Sequence, residues 1–266
     1  MPGRQIKMVD AFNLSRIPRI VYGTGTLKKL PLLLEEFGSR FLIITGANSF
    51  KSGISGRMLL KTLESSDKII YRGRIIKEPS PSDIDDIVME YFGKDIDVVA
   101  GIGGGSVLDA AKAVSAMLPV GEPVRDYIEG VGKKAHPGIK IPFIAVPTTA
   151  GTGSESTENA VISEIGKTGF KRSLRHANFM PDIALVDPEL TIGCPPEITS
   201  ASGMDALTQL IESYVSVQAN TFTDSLAEEA IRLIITHLPE ASKNGRNINA
   251  RKALSYSAMI SGITLA

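Results

Sequence analysis

The sequence predicts an α/β parallel-sheet unit that gives way to an all-helical one, on three observations. From about Arg16, short apolar runs alternate with longer segments of helical period, the rhythm of a parallel sheet covered by helices. A glycine-rich turn joins a fully apolar run to a helical one within 96–114. After ALVDPEL (184–190), every periodic segment is helical.

RIVYG (19–23) reads as a strand and TLKKLPLLLEEFG (26–38) as a helix closed by Gly38. FLIIT (41–45) is a buried strand, ISGRMLLKTLES (54–65) a helix and KIIYRG (68–73) a further strand. KEPSPSDIDDIVMEYFG (77–93) begins as a proline-rich loop, with Ser82 expected to cap a helix that ends at Gly93. DVVAGIG (97–103) and IPFIAVP (141–147) are the clearest core strands. GCPPEITSASG (193–203) reads as a linking stretch, and helices are expected over 204–217, 224–238 and 250–266. This divides the chain into an α/β unit at 1–192 and the start of a helical one at 193–266. The last segment ends in mid-pattern with neither a helix stop nor a polar tail. An incomplete helical domain is therefore expected, with apolar helix faces left uncovered.

With 43% apolar residues over 266, the chain can bury one large core or two smaller ones. Lys+Arg and Asp+Glu both count 29, so no global charge draws it to nucleic acid or an anionic membrane. Cys194 stands alone and cannot close an intrachain disulfide, which makes the cytoplasm the expected setting. Asp10, Arg16 and Arg19 interrupt the N-terminal stretch before an apolar signal core can form, and no uncharged run reaches membrane-spanning length.

The strongest chemical signal is IDVVAGIGGGSVLDAAKAV (96–114). Gly103, Gly104 and Gly105 let backbone approach an anion, and the helix begun by Ser106 directs free N–H groups and a positive dipole end at it. The spacing is neither G-x-G-x-x-G nor a Walker A loop, and the local pattern alone also fits a tight turn without a ligand. VPTTAGTGSES (146–156) follows the next core strand with Thr148, Thr149 and Thr152, whose hydroxyls suit a ribose or an amide.

GGGSVLDAAKA, PTTAGTGSE, PDIALVDPELT and GMDALTQLIE, in this order, resemble the iron-containing (group III) alcohol dehydrogenases within the wider dehydroquinate synthase-like fold. The similarity runs from about Ile17 to the last residue. It implies a Rossmann-like dinucleotide-binding domain, a helical domain, and an active site between them where hydride passes between a nicotinamide and a small alcohol or aldehyde. By the same resemblance Gly103, Gly104, Gly105 and Ser106 would hold the cofactor pyrophosphate, with Asp109 near the nicotinamide. Thr148, Thr149 and Thr152 would line the adenosine side, and Lys171 would contact the cofactor. A reading from fold alone leaves Asp109 and Lys112 as exposed first-turn charges.

NAD-preferring members of the family carry an acid after the second strand, which would hydrogen-bond the ribose and repel a 2′-phosphate. Here Gly46, Ala47, Asn48 and Ser49 stand there, so NADP is expected ahead of NAD. The family's metal, Fe2+ or Zn2+, is held by an aspartate, a histidine four residues on, and two later histidines. Asp205 matches the first, but Gln209 takes the second position, and an amide oxygen is a weaker donor than imidazole. His136, His176 and His237 form no HxxxH pair and read as surface or capping residues. The bland reading of Asp205 is a first-turn acid after a Ser202 cap. Asp205, Gln209 and Glu212 form an acidic-polar stripe that suits a cation or a neutral substrate better than a phosphate ester. A metal-independent reductase, or a dinucleotide-binding product without activity, remain alternatives. The sequence identifies no catalytic residue and leaves the assembly state open, a homo-oligomer being one option.

Overall fold

The computed structural model describes residues 9, 11–47, 54–65 and 67–266. The elements follow as β1 (Arg19–Tyr22), α1 (Leu30–Glu35), β2 (Arg40–Thr45), α2 (Ile54–Glu64), β3 (Ile69–Arg74), α3 (Pro81–Tyr91), β4 (Val98–Gly103) and α4 (Gly105–Met117). Then come β5 (Phe143–Pro147), β6 (Asn159–Glu164), β7 (Phe170–Arg175), β8 (Ile183–Val186), α5 (Pro196–Val215), α6 (Thr221–Lys243) and α7 (Ile248–Leu265).

Among the described residues, six strands form one all-parallel sheet in the order β1-β8-β5-β4-β2-β3, and β6 and β7 pair as a separate antiparallel hairpin. The main sheet is buried on both faces, which is why its central strands are continuous apolar runs. Along β2, Leu42 and Ile44 enter one core with α3 and α4, while Phe41 and Ile43 enter the other with α1 and α2. Gly101 lets α4 lie close against β4, because a Cβ there would sit 2.7 Å from the Cβ of Ala111. A third core packs Ala184 and Val186 of β8 against α5, α6 and α7.

Strand order reverses between β2 and β4, so the crevice at their carboxyl ends is where such a sheet places a ligand. Gly46 follows one of these strands and Gly103 to Gly105 the other.

Several element boundaries differ from expectation for local reasons. Segment 26–38 splits into a 3-10 turn over Thr26–Lys29 and the short α1, with Pro31 in the first turn of the latter. The cap of α3 is Ser80 rather than Ser82: Pro81 fits the first helical position, and Ser80 and Asp83 form a reciprocal capping box. Helix α5 starts at Pro196, inside the stretch expected to be a linker, so Ser202 lies within the helix and caps nothing. Gly203 is needed there because a Cβ would meet Leu238 of α6 at 2.4 Å.

Of the helix faces expected to stand open, α5 exposes Met204, Ile211 and Val215 and α6 exposes Ile235. Helix α7 departs from that expectation and is covered almost all round. No helix among the described residues is long and apolar enough to cross a membrane.

Candidate active site

A cleft of about 900 Å³ opens at the carboxyl ends of β2 and β4, with the start of α4 as one wall, residues 154–161 as the wall facing it, and α5 along a third side. Gly104 caps α4, whose first residues are Gly105 and Ser106, so the free N–H groups of the first turn face this space. Gly104 and Gly105 pack against Thr149 and Thr152: a Cβ on Gly105 would lie 2.6 Å from Thr152 Cγ2. A side chain at Gly105 would have to displace Thr152, so glycine lets the two loops touch here.

The structure brings most of the expected residues together. Gly46, Gly104, Gly105, Ser106, Asp109, Thr149, Thr152 and Lys171 line the cleft, and Asp205 and Gln209 line its helical wall. Gly103 and Thr148 stand just behind it, joined by a bond from Thr148 N–H to the Gly103 carbonyl (2.9 Å). Asn48 and Ser49 lie outside the described residues. None of the three histidines lines the cleft. His176 caps the turn at Ala177–Phe179, whereas His136 is partly buried with its ring 4.7 Å from that of Phe179.

Asp109 and Lys112 are buried, contrary to the reading from fold alone, because α4 runs between β4 and the β6–β7 hairpin and has no exposed face at either position. Asp109 Oδ2 accepts the Val161 N–H at 3.2 Å. Burial pushes the Asp109 carboxyl up to about 6, against the pull of Lys112. Burial likewise brings the Lys112 ammonium down to about 8 and lifts the neighbouring Glu155 to about 7. Sequence reading also missed Glu78, whose two oxygens accept from Ser106 Oγ (3.2 Å) and Lys171 Nζ (3.3 Å) at the cleft mouth. It was passed over as part of a proline-rich loop, and its separation of 28 and 93 residues from these partners left no local signal.

Residues 18–188 match the sequence family described as iron-containing alcohol dehydrogenase, and residues 199–266 match that family's C-terminal region. The chain belongs to the iron-containing alcohol dehydrogenase family. It is 40% identical over 262 residues to a probable alcohol dehydrogenase of Escherichia coli, covering 96% of this chain and 65% of that protein. It is 34% identical over 247 residues to the NAD-dependent methanol dehydrogenase of Bacillus methanolicus, covering 92% of this chain and 64% of that one. Among solved structures it resembles sulfoacetaldehyde reductase from Bifidobacterium kashiwanohense in complex with NAD+, with a TM-score of 0.86 at 29% identity over 97% of this chain and 67% of that one. An iron-containing alcohol dehydrogenase from Thermotoga maritima gives 0.83 at 30% identity, over 96% and 68%. The chain thus spans roughly two thirds, or slightly less, of the length of the relatives it matches.

The family description names iron, and the side chains on α5 can be tested against it. Gln209 Nε2 donates to Asp205 Oδ2 at 3.1 Å, and Gln209 Oε1 accepts from Ser261 Oγ of α7 at 2.9 Å. Gln209 thus bridges Asp205 on its own helix and Ser261 of α7. Among the described residues, no group of three or more His, Cys, Asp or Glu is placed to hold a metal ion. Asp205 and Gln209 supply one carboxylate and one amide, an incomplete donor set for iron among the described residues. Partial burial raises the Asp205 pKa, with Lys171 and the Gln209 bond acting against it.

Proposed function

We propose that the cleft binds NAD(P) and a small alcohol or aldehyde, and that the protein transfers hydride between the nicotinamide and the substrate carbon. The observation that carries this reading is the meeting of two sites in one space. A glycine turn at the N-terminus of α4 lies at the reversal of strand order, and the Asp205–Gln209 pair faces it from α5. In this reading residues 1–192 supply the dinucleotide half and residues 193–266 begin the substrate half. Gly103 to Ser106 hold the pyrophosphate, with Asp109, Thr148, Thr149, Thr152 and Lys171 along the rest of the cofactor. Oxidation removes a hydride to the nicotinamide and a proton to solvent, leaving the carbonyl. Asp205 and Gln209 offer an acceptor and an N–H donor to orient the substrate oxygen, and Ile198 and Val161 add apolar surface to the same cleft.

NADP is proposed ahead of NAD, although relatives are named for NAD. No acid follows β2, and Arg74 at the end of β3 donates from Nη2 to the Ala47 carbonyl at 2.9 Å. That bond puts a guanidinium at the turn where a 2′-phosphate would lie, the usual way an arginine accommodates this group. Glutamine at 209, a weaker donor than imidazole, favours a metal-independent reductase as a second reading, against Fe2+ or Zn2+ bound at Asp205. A cytoplasmic setting fits the lone Cys194.

The test is steady-state oxidation of short alcohols and reduction of the matching aldehydes with NADPH or NADH, before and after dialysis against a chelator, with metal content measured. Turnover with NADPH supports the main reading. Turnover that survives complete loss of metal selects the second, and absence of turnover with every pair removes both.

A further inference from the structure

We propose that Lys112 is a positioning residue that fixes the separation of the two walls of the cleft. Its ammonium is wholly buried and reaches out of α4 to the facing loop, where it donates to the carbonyl oxygens of Ser154 (2.9 Å), Thr157 (2.7 Å) and Asn159 (2.8 Å). Thr157 Oγ1 lies within reach as well, at 3.1 Å. Three carbonyls from one short stretch therefore converge on a donor with three protons. One turn earlier on the same helix, Asp109 holds the Val161 N–H.

Ser154, Thr157, Asn159 and Val161 all line the cleft. Helix α4 thus forms one wall with its N-terminus and grips the other with Asp109 and Lys112. The loop is held from its far side by α7, where Ser156 Oγ donates to the Met259 carbonyl at 2.7 Å. Lysine suits this task because a compact ammonium can point three protons at three acceptors, whereas the flat fork of arginine cannot. Methionine would fill the space of the stem and take away the donor these three carbonyls share.

The consequence for binding rests on the dinucleotide reading above; the clip itself does not. Hydrogen exchange read by mass spectrometry, together with NADPH titration, tests both on the purified protein. For Lys112→Met we expect amides 154–161 to exchange about tenfold faster or more while β4 and β5 keep their protection. The NADPH Kd should rise about tenfold, with kcat at saturation changed less than about threefold, and Lys112→Arg should not restore it. If Lys112→Met fails to fold, Thr157→Val removes one contact and should show a smaller acceleration confined to the same stretch. Unchanged exchange at 154–161, or equal acceleration across the whole sheet, would overturn the proposal. Because exchange needs no ligand, a protein that binds no NADPH yet shows the local acceleration keeps the clip and loses only the functional reading.

Discussion

At Gly153 the sheet unit and the helical unit touch backbone to backbone. The φ of this glycine is +62°, and a Cβ there would lie 2.6 Å from the Gly262 nitrogen and 2.8 Å from the Ala258 carbonyl oxygen of α7. Neither neighbour is a flexible side chain that can move aside. Gly153→Ala should cost about 2–4 kcal/mol, from left-handed strain plus overpacking, read as a lower urea midpoint at an unchanged slope. Asp97 makes a second prediction at this scale. It accepts from the Ser39 and Arg40 N–H groups and pairs with the Arg40 guanidinium (2.9 Å). The Arg40 side-chain bond comes first among the causes that hold its carboxyl down at about 2, from 3.8. A folded pKa below the unfolded one gives stability that is present above pH 4 and lost as pH falls from about 4 to 2. The stability difference between wild type and Asp97→Asn should therefore shrink over that window and stay constant above it, as measured by denaturation at fixed pH values. Asp109 and Glu155 have the opposite sign, since burial raises both, and act between about pH 4 and 7. They leave the lower window clear.

At the scale of elements, the strand–turn–helix from Val98 to Met117 was legible because each local choice agreed: an apolar run, three glycines, then a helical period. What escaped was the burial of Asp109 and Lys112. A charged residue near the start of a helix reads as surface, and it is the distant 154–157 turn and the β6–β7 hairpin that cover that face. The start of α5 escaped for a different reason: paired prolines and glycine look like a break, yet Pro196 is suited to the first turn and Gly203 to a close helix crossing. The capping box of α3 predicts that Ser80→Ala lowers stability by about 1 kcal/mol with cofactor affinity unchanged, by denaturation and titration together. The end of β3 carries a prediction about specificity. Arg74→Gln should weaken NADPH binding about tenfold and leave NADH binding within about twofold, and a parallel loss for both would remove Arg74 from the account.

For the molecule as a whole, the order of the main sheet places the glycine turn, and the packing of β8 on α5 to α7 brings the Asp205–Gln209 pair to face it. The family resemblance was readable from four motifs in order. The contact of Gln209 with Ser261 was not, because the two lie 52 residues apart on different helices. The most direct test of the central claim is a calorimetric titration of NADPH into wild type and Ser106→Asp. An acid in the first turn of α4 suits the helix dipole and should leave the fold intact, while placing negative charge in the anion seat. Wild type should bind saturably, and the variant should lose about thirtyfold or more in affinity at a similar melting temperature. Equal binding by both proteins, or no binding by wild type, would contradict that claim.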